Sequence, residues 1–129
     1  MEISAPVHSA LSGKAILVTG ASGYIGGRTV DALNTIACRV LRLSRRALPP
    51  ISPGEARIRD LIGDAGDPEF AKQAMSFADI LLHFAAETGV PAAEKDPCAS
   101  LGANVGTLLR LLEAGRNEGR CPAVVFAGT

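Results

Sequence analysis

Tryptophan is absent from the 129-residue chain and tyrosine occurs once, so aromatic residues amount to only 4%. A core made from this sequence has to be aliphatic, which suits a parallel sheet buried under helices better than an antiparallel sandwich. Net charge is missing too, because 13 basic and 13 acidic residues cancel. With no basic tract, neither a nucleic-acid surface nor an anionic-membrane surface has support. The three cysteines, Cys38, Cys98 and Cys121, form no Cys-x-x-Cys pair, and His8 and His83 stand at no metal-ligand spacing from them. That excludes a recognisable metal site and makes reduced thiols in a cytoplasmic protein the expectation. No apolar stretch approaches the roughly 20 residues that span a bilayer, and residues 1–12 lack the basic start and apolar run of a signal peptide.

What is there is an alternation. The run Ala15-Ile16-Leu17-Val18-Thr19 is too short for a helix and stops at Gly20, as a buried strand does. Ile25, Val30, Leu33 and Ile36 then recur at helical spacing from Tyr24 onward. Residues 38–43 read as a second strand, and residues 44–55, with Pro49, Pro50, Pro53 and Gly54, as a loop. A weaker strand at 58–62 leads to Asp67-Pro68, a capped helix start that should run to Phe77. Strand 79–85, a loop over 87–96, a long helix over 97–117 and a strand at 123–127 complete the series. The pattern predicts one domain over residues 1–129, an α/β fold of the doubly wound Rossmann type. Its parallel sheet has about five strands in the order 3-2-1-4-5 and ends with the fifth strand.

The chemistry-bearing motif is the turn Thr19-Gly20-Ala21-Ser22-Gly23-Tyr24-Ile25-Gly26 between the first strand and the first amphipathic helix. Gly20 lets the chain leave the strand sharply, Gly23 keeps a side chain away from an approaching pyrophosphate, and Gly26 lets helix and sheet pack closely. The helix N-terminus adds unpaired N–H groups and a partial positive charge. The spacing is Gly-x-x-Gly-x-x-Gly rather than the commoner Gly-x-Gly-x-x-Gly, and neither a phosphate-binding Gly-x-x-x-x-Gly-Lys motif nor a Gly-x-Ser-x-Gly elbow is present.

Together with Gly63-Asp64, His83-Phe84-Ala85-Ala86, Asn104-Val105-Gly106-Thr107 and the terminal Val124–Thr129, this turn resembles the extended short-chain dehydrogenase/reductases, in particular the NAD-dependent epimerase/dehydratase family. The resemblance runs from Lys14 to Thr129. It implies cofactor contacts from Gly20, Ser22, Gly23, Tyr24, Ile25 and Gly26. It further implies that Asp64, with Ala65 beside it, meets the adenine amino group, and that Ala85 and Ala86 lie against the ribose and pyrophosphate. Asn104 would steady the backbone near the active site, and Thr129 would be the catalytic hydroxyl on the substrate sugar. Each of these has a plainer alternative: Asp64 as a turn opener, Asn104 as an ordinary helix residue and His83 as a packed core histidine.

Where NAD-preferring enzymes carry a carboxylate after the second strand, this chain has Ser44-Arg45-Arg46. A guanidinium suits a 2′-phosphate through charge-assisted bonds, so NADP is expected over NAD unless both arginines are merely solvated. The Tyr-x-x-x-Lys pair that the family uses for proton transfer is absent: the one tyrosine is Tyr24, and position 28 is Arg28. The expectation is therefore the NAD(P)-binding portion of a nucleotide-sugar epimerase, dehydratase or reductase, inactive by itself, with a nucleotide-sugar-like small molecule as substrate of the complete enzyme. A homo-oligomer is expected, with no nucleic acid or membrane partner. The alternative is a dinucleotide sensor without chemistry.

Overall fold

A computed structural model describes residues 2–87 and 89–127. Five strands, β1 Ala15–Thr19, β2 Arg39–Ser44, β3 Arg57–Ile62, β4 Ile80–His83 and β5 Ala123–Phe126, form one sheet in the order β3-β2-β1-β4-β5. Every neighbouring pair is parallel. β1 is central and wholly buried, which its unbroken apolar run anticipates. The fold is the Rossmann-type doubly wound sheet expected from the alternation of elements.

Side chains alternate between the two faces. Leu17, Leu41, Leu43 and Leu81 point to one side, where α3 (Pro68–Phe77) contributes Ala71, Ala74 and Met75 and a later helix contributes Leu111. Ile16, Val18 and Val40 point to the other, against Val30 and Leu33 of α2 (Tyr24–Leu33). The proline-rich segment between β2 and β3, read from the sequence as a loop, also covers this second face. Leu48 and Ile51 pack there, and the buried Arg42 guanidinium donates to the Pro49 carbonyl at 3.1 Å while gripping the Asp60 carboxylate at 2.6 and 2.8 Å.

α3 begins as its sequence predicts, with Asp67 Oδ1 accepting from the Glu69 and Phe70 N–H groups and Pro68 at the first helical position. Three differences from the sequence reading are local. The lead segment, to which the sequence reading assigned no helix, holds α1 (Ala5–Leu11), and the loop expected over 87–96 holds α4 (Val90–Lys95). Both have proline in the first turn and no buried residue, so no apolar periodicity marks them. The long helix is interrupted: α5 (Pro97–Leu101) and α6 (Thr107–Asn117) are joined by a π-helical stretch, Gly102–Gly106. β5 differs from β1 in being exposed along its length, with Phe126 61% accessible.

Candidate functional site

Because all five strands run the same way, the segments that follow them emerge at one edge of the sheet. There lie the glycine turn after β1, Ser44–Arg46 after β2, Gly63–Ala65 after β3 and Phe84–Glu87 after β4. The strand order reverses between β1 and β4, and in open α/β sheets ligands bind in the crevice at that switch point. Two hollows elsewhere, of about 160 and 240 Å³, lie beside the proline-rich segment and at the opposite edge near Asp79 and Cys121.

The glycine turn is shaped by backbone contacts. Gly20 has φ +69°, and a Cβ there would stand 2.6 Å from Ala85 N and from the Phe84 carbonyl carbon. Only glycine combines that dihedral with so close an approach. The Gly23 N–H donates to the Gly20 carbonyl at 2.9 Å, closing the turn, and Gly23 then starts α2 without a side-chain cap. Gly26 is buried against the Gly20 carbonyl, where a Cβ has no room. Ser22, Gly23, Tyr24 and Ile25 are all exposed at this helix start. The arrangement presents main-chain N–H groups and a helix dipole to the crevice with no side chain at Gly23 in between.

The opposite wall is held by one hydroxyl. Thr19 Oγ1 accepts from the Phe84 N–H at 3.2 Å and the Ala85 N–H at 3.1 Å, and lies 2.9 Å from His83 Nδ1. Burial pushes the His83 pKa down. The Ala85 N–H is therefore taken. Further along, Asn104 in the π-helical stretch accepts from the Glu87 N–H at 2.6 Å and donates to the Glu87 carbonyl at 3.2 Å. It ties the loop after β4 to the helix, and π-bulges of this kind are frequent at functional sites.

The remaining sequence-predicted residues are placed as follows. Arg45 and Arg46 are exposed just beyond β2, with the Arg46 N–H on Ser44 Oγ at 3.2 Å, and neither belongs to an ion pair among the described residues. Asp64 is exposed, its Oδ1 accepting from the Gly66 N–H at 2.8 Å in a local turn, and the Ala65 side chain is core. Thr129 lies outside the described residues. Sequence reasoning missed Thr19 as the hub of the β4 wall and Arg42 as the anchor of the segment carrying Arg45 and Arg46. A buried hydroxyl at a strand end has no local signature. Arg42 and Asp60, opposite charges within two strands that the order 3-2-1-4-5 places side by side, were readable as a pair.

With this geometry in view, the chain was compared with known proteins. The profile of the NAD dependent epimerase/dehydratase family matches residues 16–129. The chain belongs to that family. Among curated relatives, the UDP-glucose 4-epimerase of Lacticaseibacillus casei is 34% identical over 116 residues, which cover 88% of this chain and 35% of the relative. An uncharacterized membrane protein of Methanocaldococcus jannaschii is 34% identical over 110 residues, covering 81% of this chain and 33% of that protein. Among solved structures, MoeE5 in complex with UDP-glucuronic acid and NAD superposes with a TM-score of 0.76 at 30% identity, over 88% of this chain and 36% of that one. The chain thus spans about a third of the length of the curated relatives it matches. Membership in the epimerase/dehydratase family agrees with the resemblance carried by the five sequence segments. Among the described residues no helix is long and apolar enough to cross a membrane.

Proposed function

We propose that this chain is the dinucleotide-binding portion of a nucleotide-sugar epimerase, dehydratase or reductase, and that it prefers NADP to NAD. The observation that carries the reading is the uncapped α2 N-terminus at Gly23, in a turn whose Gly20 packs on the end of β4 at the switch point. The residues present fit a dinucleotide: among the described residues a Cβ at Gly23 would meet, within 4 Å, the Gly20 carbonyl oxygen alone, tightly, at 3.3 Å. The N–H groups of Tyr24 and Ile25 would hold the pyrophosphate, the walls at Ala85 and Ala86 the ribose, and Asp64, with Ala65, the adenine end. The bound cofactor would supply a hydride acceptor for the sugar. The chain's own contribution is binding and orientation, with Asn104 fixing the Glu87 loop and Thr129 offered as the hydroxyl on the substrate. The chain's one tyrosine, Tyr24, lies in this turn, so it supplies no Tyr-x-x-x-Lys pair for proton transfer.

The exposed Arg45 and Arg46 support the NADP preference, since they stand beyond β2 where a ribose 2′-phosphate would fall. Each charge-assisted bond contributes roughly 1.5–3 kcal/mol, about one to two decades in affinity. Calorimetric titration with NADP+ and NAD+ tests both parts. Gly23→Asp, which adds a side chain and a negative charge at the turn, should abolish binding of either. Arg45→Ala with Arg46→Ala should weaken NADP+ by about tenfold or more and leave NAD+ nearly unchanged. Equal affinity of wild type and Gly23→Asp would remove the phosphate site, and an unchanged NADP+ to NAD+ ratio would remove the preference.

A further inference from the structure

The buried pair Thr19–His83 leaves little freedom for its protons. A threonine hydroxyl has one donor hydrogen and two acceptor lone pairs. Thr19 Oγ1 accepts from the Ala85 N–H at 3.1 Å and shares the Phe84 N–H, 3.2 Å away, with the Thr19 carbonyl oxygen at 3.3 Å. Its single hydrogen is then directed at His83 Nδ1, 2.9 Å away. Nδ1 has to accept, so the ring proton resides on Nε2, a buried atom with no partner among the described residues. The opposite tautomer would bring three donors to one hydroxyl oxygen and leave the hydroxyl hydrogen without an acceptor. A protonated ring, a donor at both nitrogens, fails in the same way.

We infer that His83, held as its neutral Nε2–H tautomer, is a positioning residue: it turns the Thr19 hydroxyl so that both lone pairs clamp the Phe84–Ala85 backbone against Gly20. The inference rests on the dinucleotide reading above for its functional meaning. The clamped backbone is the wall that faces the glycine turn, and Gly20 tolerates it only because no Cβ intervenes. If the hydroxyl turns away, the Ala85 N–H loses its acceptor while the Phe84 N–H keeps the Thr19 carbonyl, and the wall relaxes at Ala85. The ring acts through an acceptor atom at the Nδ1 position, so an asparagine, whose Oδ1 occupies the corresponding place, should replace it. A leucine of similar bulk should not.

The test uses the 129-residue chain. With ¹⁵N-labelled histidine, long-range proton–nitrogen spectra at neutral pH should show one ring, identified by its loss in His83→Asn, with a bare Nδ1 and a protonated Nε2. Amide exchange at Ala85 should be slow in wild type and His83→Asn, and faster in His83→Leu and Thr19→Val, with Phe84, held also by the Thr19 carbonyl, changing less. Binding of NADP+ should follow the same order, with roughly two- to tenfold weakening in His83→Leu and recovery in His83→Asn. A protonated Nδ1 would overturn the inference from the wild-type spectrum alone. So would His83→Leu matching wild type in exchange and affinity. If wild type bound neither NADP+ nor NAD+, the dinucleotide reading would fall, while spectrum and exchange would still decide whether His83 positions the wall.

Discussion

Gly20→Ala separates two effects that a glycine in a turn usually confounds. At φ +69° an added Cβ is strained whatever surrounds it, by about 1–2 kcal/mol. In addition it would meet Ala85 N and the Phe84 carbonyl carbon at 2.6 Å and the Phe84 oxygen at 2.7 Å. These are all main-chain atoms, which cannot rotate away, and forced overpacking of this kind costs about 1–3 kcal/mol. The sum, about 2–5 kcal/mol, is a large part of a net stability of about 5–15 kcal/mol. For a domain of this size each kcal/mol lowers Tm by about 3–5 °C, so the variant should melt about 6–25 °C below wild type. Gly13 is the control: its φ is +73° and nothing lies within 4 Å of the Cβ position. Gly13→Ala should show the conformational cost alone, about 1–2 kcal/mol, or about 3–10 °C. Differential scanning calorimetry of the two variants side by side gives the difference directly. Equal drops in Tm would mean that the end of β4 does not approach the glycine turn, and the crevice described above would lose its wall.

The pH dependence of stability should carry the mark of His83. Burial lowers its folded pKa from the ordinary value of 6.5, so between those two values the unfolded chain takes up a proton that the folded chain refuses. Stability from this group is complete above about pH 6.5 and is lost as pH falls through the lowered value, at no more than about 1.4 kcal/mol per pH unit. Urea midpoints of wild type and His83→Asn should diverge as the pH is lowered, and parallel curves would count against a buried neutral ring. The cysteines should differ in reactivity. Cys98 and Cys121 are exposed and should be alkylated in the folded chain, whereas burial both shields Cys38 and raises its thiol pKa. Mass spectrometry after brief iodoacetamide treatment should find two modified sites, and modification of Cys38 at a similar rate would mean its surroundings are open.

Most of the sheet was legible because burial leaves a dense local record. The apolar run at residues 15–19 and the spacing of Val30 and Leu33 each report which face meets the core, and the Asp67-Pro68 start reports itself through capping chemistry. α1 and α4 left no such record, since no residue of either is buried, and only a proline in the first turn hints at them. The π-helical stretch was hidden for another reason: one extra residue per turn changes hydrogen bonding without changing composition. At the site, the glycine turn was legible because conformation and close approach both demand a residue type. The wall it faces was not, because Thr19 and the atoms it clamps are 65 and 66 residues apart and meet only once the sheet is complete.

That separation has a bearing on how the chain is made. Thr19 leaves the site of synthesis 64 residues ahead of His83, an interval of about 3–13 s at about 5–20 residues per second. During it, β1 can pair with β2 on one side, yet Ile16, Leu17 and Val18, all fully buried in the end, border an unpaired edge until β4 arrives. The most deeply buried strand of the sheet is then its most available aggregation template. A nascent chain halted between residues 62 and 79 should be the form most dependent on chaperone holding, and release should coincide with the docking of β4 beside β1.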